Sequence, residues 1–152
     1  MFILQVCETL SSNNINYALI GGYAVALHGA VRGTVDIDFV IQWELDQLIG
    51  VENAMNSIGL VSKLPINAKE LYENRDEFIE NRNMIAWNFY DPEDLSKSVD
   101  LVINYDLGDR EVVKKSVGLS KVCLLNKTDL IDMKTKSARP QDLEDVKSLK
   151  SL

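Results

Sequence analysis

The run Val35-Asp36-Ile37-Asp38-Phe39-Val40-Ile41 constrains this chain more than any other stretch. β-branched and aromatic residues in a short block predict a buried strand, yet two carboxylates interrupt it. Side chains at i and i+2 leave a strand on the same side, so Asp36 and Asp38 project together. Like charges that close repel unless a proton or a cation lies between them. Mg²⁺ favours carboxylate oxygens combined with the oxygens of a bound phosphate, so a metal site accounts for the pair. An Asp-x-Asp pair also occurs at strand ends and turns for purely structural reasons. What precedes the pair decides between the two readings.

Upstream, Tyr17-Ala18-Leu19-Ile20 forms a short apolar run ending at Gly21-Gly22, and Tyr23 to His28 returns to good helix formers before Gly29. Strand, tight turn and helix place backbone N–H groups where a phosphate can approach, and glycine permits the approach. A third acid, Asp100, lies alone in the apolar run Val99 to Ile103. Buried between Val99 and Leu101, its charge needs a cation or hydrogen bonds. If that strand pairs beside residues 36–39, three carboxylates can hold two ions about 4 Å apart, the arrangement that steadies attacking and leaving oxygens in a phosphoryl displacement.

Elsewhere the pattern predicts helices over 2–13, 44–57, 127–136 and 140–150, the third capped by Asn126 and the fourth opened by Pro140. Strands are expected over 35–41, 58–63, 84–90, 99–103 and 122–125, with helix and loop over 66–82. The sum is a single α/β (α+β) domain over 1–152, a small mixed sheet flanked by helices. Trp43, Trp87 and Tyr90 read as core or pocket walls. The only histidine, His28, is placed to hydrogen-bond a carbonyl at a helix end. Cys7 and Cys123 lack metal-ligand spacing and read as reduced, buried thiols.

With 46% hydrophobic and 26% charged residues the chain has the composition of a globular protein. The net charge of −7 argues against a protein that coats nucleic acid. Residues 1–109 carry −11 and residues 110–152 carry +4. That division suits a site with metal ions on one wall and phosphates on the other, and equally an ordinary solvated surface. The start MFILQVCETL lacks the features of a secretory signal, and no run reaches the ~18 apolar residues of a membrane span, so a cytoplasmic protein with no membrane partner is expected.

The ordered combination Ile20-Gly21-Gly22 to His28-Gly29, then Arg32-Gly33-Thr34-Val35-Asp36-Ile37-Asp38, resembles the nucleotidyltransferase superfamily of the polymerase-β type. It is most similar to the minimal bacterial branch, with abortive-infection or toxin-antitoxin nucleotidyltransferases and lincosamide-type transferases. Asp129 to Lys134 and Arg139 to Val146 look like that family's closing helix pair. The resemblance implies a polymerase-β-like fold with two C-terminal helices and transfer of a nucleoside monophosphate from a nucleoside triphosphate, such as ATP, to a hydroxyl. It implies Asp36, Asp38 and Asp100 as metal-binding and catalytic carboxylates for Mg²⁺ or Mn²⁺. Gly21, Gly22, Tyr23, Arg32, Thr34 and Lys134 are then the nucleotide-binding set, with Arg32 open between phosphate and an acidic partner. Asp142 and Asp145, at i and i+3, read mainly as structural acids, one capping or pairing with Arg139 while the other can face the site. The acceptor is open among a protein, a tRNA and a small molecule, as is a cognate toxin or antitoxin partner. A catalytically silent binding module of the same fold is the alternative.

Overall fold

A computed structural model describes residues 1–152. The first helix, α1 (Phe2–Ser12), buries Ile3, Val6, Cys7 and Leu10, one face at helical spacing. It leads into β1 (Tyr17–Ile20), a strand whose four residues are all buried. At Gly21 the backbone turns through a positive φ of 65° into α2 (Gly21–Leu27). An irregular stretch over 30–36 then returns the chain to β2 (Ile37–Ile41). Helix α3 (Leu45–Ser57) follows, then the two-residue β3 (Val61–Ser62) and two short helices, α4 (Ala68–Glu73) and α5 (Arg75–Glu80). Strands β4 (Ala86–Asp91) and β5 (Asp94–Val102) form a hairpin, as do β6 (Val112–Val117) and β7 (Ser120–Leu125). Helices α6 (Lys127–Ser137) and α7 (Pro140–Lys150) close the chain.

The seven strands form one mixed sheet in the order β3-β4-β5-β2-β1-β7-β6. β1 and β2 are antiparallel, whereas β2 runs parallel to β5 and β1 parallel to β7. A connected cluster of 34 buried residues, Trp87, Phe39 and Phe89 among the largest, fills the interior. Trp87 is thus core, while Trp43 is partly buried, stacked on Tyr72 with ring centroids 6.3 Å apart. No helix is long and apolar enough to cross a membrane.

The mixed α/β architecture matches the sequence reading, with four departures. β2 begins at Ile37 and not at Val35, because β1 ends at Ile20, which faces Asp38, and then turns away. Residues before Ile37 therefore have no β1 partner, and Val35 is 84% exposed. β5 starts at Asp94, five residues earlier than its apolar run, because the tight hairpin to β4 extends the pairing. β6 was not foreseen: its Lys114 and Lys115 mask a sheet-edge strand. Cys7 is fully buried as expected, but Cys123 is only partly so; both thiols are free.

Candidate active site

The sheet register brings the acids together. Asp38 on β2 and Asp100 on β5 are direct partners across parallel strands, so their side chains leave the same face from backbones about 4.8 Å apart. Every other residue of β2 is buried, and Asp38 alone is half-buried at the floor of a cleft. Asn88, opposite Asp100 on β4, donates from Nδ2 to Asp100 Oδ1 at 2.9 Å. This orienting amide was missed from the sequence, although a lone polar residue between Trp87 and Phe89 is the same kind of signal that singled out Asp100. Asp36 is exposed and sits just before β2, on the same cleft. It reaches the site from the irregular segment and not from the strand, so its placement depends on how 30–36 is held.

Burial pushes the Asp38 carboxyl up, the neighbouring Asp100 and Asp36 charges add to the rise, and Lys134 and Arg139 oppose it; the result is about 6. An acid raised by burial and by neighbouring charges is relieved by a cation placed among them.

The Gly21-Gly22 turn lies directly on these acids. A Cβ at Gly21 would collide with the Asp38 carboxylate, and the positive φ there already favours glycine. At Gly22 a Cβ would come within 2.7 Å of Thr34 and 3.2 Å of the Arg32 guanidinium carbon. Both glycines are thus required by close approach, with carboxylate on one side and Arg32 and Thr34 on the other.

The opposite wall is basic and comes from α6 and α7. Lys134 is only 5% exposed; its Nζ donates to Asp145 Oδ2 at 2.8 Å and lies 3.5 Å from Asp142 Oδ1. Arg32 Nε donates to Asp145 Oδ1 at 2.9 Å, so the acidic partner is present, while the guanidinium also lines the cleft beside Gly22. Asp142 accepts from Arg139 Nε at 2.7 Å, from Ser137 Oγ at 2.8 Å and from the Arg139 backbone N–H at 3.2 Å, closing the N-terminus of α7. Burial raises the Asp142 carboxyl, but these donors outweigh it and bring it down to about 2.

One cleft of about 1200 Å³ collects Gly21, Gly22, Arg32, Thr34, Asp36, Asp38, Asp100 and Lys134. Of the expected set only Tyr23 is left out, its side chain packing on the core. His28 caps α2, with Nε2 2.7 Å from the Leu125 carbonyl oxygen, and stays clear of the cleft. Asp106 lines the cleft but accepts from the Trp43 and Gly108 backbone N–H groups at 2.9 Å each, so a turn accounts for it.

No group of three carboxylate, histidine or cysteine side chains is gathered tightly enough to hold a metal ion by itself. The donor set fits Mg²⁺ or Mn²⁺ nonetheless, because such ions commonly take one or two carboxylates and complete their shell with substrate phosphates and water. The all-oxygen donors and the raised Asp38 carboxyl are compatible with a hard cation shared with a ligand.

No family model and no curated protein sequence matches the chain. Solved structures do. The antibiotic-resistance factor ANT(2'')-Ia aligns over 99% of this chain and 81% of its own, with TM-score 0.66 and 10% identity. The lincosamide antibiotic adenylyltransferase LnuA, lincomycin-bound, aligns over 95% and 91%, with TM-score 0.61 and 16% identity. An antigenic nucleotidyltransferase-like protein from Paracoccidioides brasiliensis aligns over 97% and 73%, with TM-score 0.61 and 18% identity. The fold is therefore one shared with solved nucleotidyltransferase structures, and at these identities the likeness is one of fold.

Proposed function

We propose that the protein is a metal-dependent nucleotidyltransferase that moves a nucleoside monophosphate from a nucleoside triphosphate to a hydroxyl and releases pyrophosphate. The observation that carries this reading is the in-register pair Asp38 and Asp100, with the Gly21 turn closed on Asp38. A phosphate seated on that turn lies beside the carboxylates that would hold Mg²⁺ or Mn²⁺. The bound cation supplies charge neutralisation for the triphosphate and acidifies the attacking hydroxyl.

Asp36 and Asp38 hold the charge centre. Asp100, oriented by Asn88, accepts the acceptor's proton as its oxygen bonds to the α-phosphorus and the bond from that phosphorus to the bridging oxygen breaks. Gly21 and Gly22 let the phosphates approach, and the Tyr23 backbone N–H extends the turn. Lys134, Arg32 and the Thr34 hydroxyl face the phosphates from the other side, the two cations fixed by Asp145 before the substrate arrives.

ANT(2'')-Ia was solved in complex with adenylyl-2''-tobramycin, and LnuA with lincomycin. These neighbours favour ATP as donor and a small hydroxyl-bearing molecule as acceptor, and the net charge of −7 disfavours a tRNA. A protein acceptor and a cognate toxin or antitoxin partner rest on the resemblance alone. The test is pyrophosphate release with each nucleoside triphosphate, Mg²⁺ and separate panels of small hydroxyl compounds, tRNA and protein. Release that needs one panel names the acceptor class. Binding of triphosphate with no release on any panel would support the catalytically silent alternative.

A further inference from the structure

Two of the charges on the basic wall share one acid. Asp145, with its side chain 2% exposed, accepts from Arg32 Nε at 2.9 Å, from Lys134 Nζ at 2.8 Å and from Gln141 Nε2 at 2.9 Å. Those donors come from three places: the irregular 30–36 segment, α6 and α7 itself. Neither cation is used up. Arg32 spends Nε on Asp145 and one terminal nitrogen on the Gly33 carbonyl, which leaves the other terminal nitrogen, and its guanidinium lies against Gly22. Lys134 brings three N–H donors to two carboxylates. With Arg139 the network holds three cations against Asp142 and Asp145, and all three cations line the cleft that also holds Gly21 and Gly22.

Stability gives little reason for such a cluster, since a buried ion pair is often matched or exceeded by apolar packing of the same volume. Orientation does. A guanidinium on a segment without regular structure costs entropy to hold in place, and a fixed acceptor removes that cost before the ligand binds.

We propose that Asp145 is a positioning residue of the nucleotide site: it holds Arg32 and Lys134 at the Gly21-Gly22 turn so that both meet the triphosphate. This rests on the functional reading above. Asp145 touches no substrate and acts only through the two cations.

The test is calorimetric affinity for a non-hydrolysable nucleoside triphosphate with Mg²⁺, measured on the full chain, beside a melting curve of each variant. Asp145→Asn keeps the shape and removes the charge, and affinity should fall about 10-fold or more, the usual scale for losing a group that orients a binding side chain. In an Arg32→Gln background the same change should cost distinctly less, because part of its effect runs through Arg32. Arg32→Lys should lose affinity nearly as Arg32→Gln does, since a single ammonium nitrogen cannot sit both at Asp145 and against Gly22 as the separated nitrogens of the guanidinium do. That variant also carries the test if Asp145→Asn does not fold. Unchanged affinity in folded Asp145→Asn, strictly multiplicative losses, or full affinity in Arg32→Lys would each overturn the positioning role alone. A parent protein that binds no triphosphate would overturn the functional reading and this one with it.

Discussion

At the residue scale the account rests on three acids and one turn. Asp36→Asn with Asp38→Asn should abolish transfer and leave the fold as stable or more so, because mutually repelling carboxylates are removed. In melting scans with Mg²⁺ and nucleotide the parent should gain stability, about 2.7 kcal/mol at a hundredfold excess over Kd, while the double variant gains none. Asp100→Asn should still bind nucleotide but transfer it at least ~100-fold more slowly, the scale for a lost proton-transfer group; full activity would remove Asp100 from the chemistry. The raised Asp38 carboxyl has a pH signature. Because it holds its proton more tightly folded than unfolded, its contribution to stability is complete below about pH 4 and is lost as the pH rises through about 6. Denaturant titrations of the chelator-treated protein should show the parent losing stability relative to Asp38→Asn over that window, and a constant difference would contradict the crowding of the three acids. The acids and glycines were legible in the sequence because each is a local anomaly, a charge in an apolar run or a paired glycine after a strand. Asn88 was not singled out, since its partner Asp100 lies 12 residues away, and Asp145 was named but its pairing with Arg32, 113 residues away, was not foreseen.

Elements set where those residues point. The parallel pairing of β2 with β5 aligns Asp38 with Asp100, and no local pattern encodes that pairing. The helices were readable because their signals are short-range: Asn126 accepts from the Asp129 backbone N–H at 2.9 Å, and Pro140 opens α7. The strands were read less well at their ends. Where β1 stops decides where β2 starts, and a strand such as β6, with lysines in its middle, shows itself only through its hairpin with β7. The α6-α7 joint gives an element-scale prediction. Asp142→Ala deprives Arg139, Ser137 and the first turn of α7 of their acceptor, and should destabilise the protein by roughly 3 kcal/mol. The carboxyl is held down to about 2, so its contribution is present above about pH 4 and fades as the pH falls toward 2. Chemical denaturation of parent and variant at both pH values measures it: a loss under about 1 kcal/mol at neutral pH, or one that does not shrink in acid, would contradict the role.

Across the whole molecule, the cleft gathers Asp36, Asp38 and Asp100 of the acidic first 109 residues with Lys134 and Arg139 of the basic end, although Arg32, Asp132 and Asp142 in the same cleft cut across that division. The single core cluster threads all the central strands, so unfolding should be one cooperative transition with matching calorimetric and van't Hoff enthalpies. Two separated transitions would divide the chain into more than the one domain expected. The central claim is that this cleft moves a nucleoside monophosphate. It is tested most directly by incubating the protein with ATP labelled at the α-phosphate, and separately at the γ-phosphate, with Mg²⁺ and a cell lysate, then separating products by gel and mass. The account predicts that α-label passes to an acceptor while γ-label leaves in pyrophosphate, and that Asp36→Asn with Asp38→Asn stops both. Transfer of γ-label to an acceptor, or α-label transfer that survives in the double variant, would contradict it.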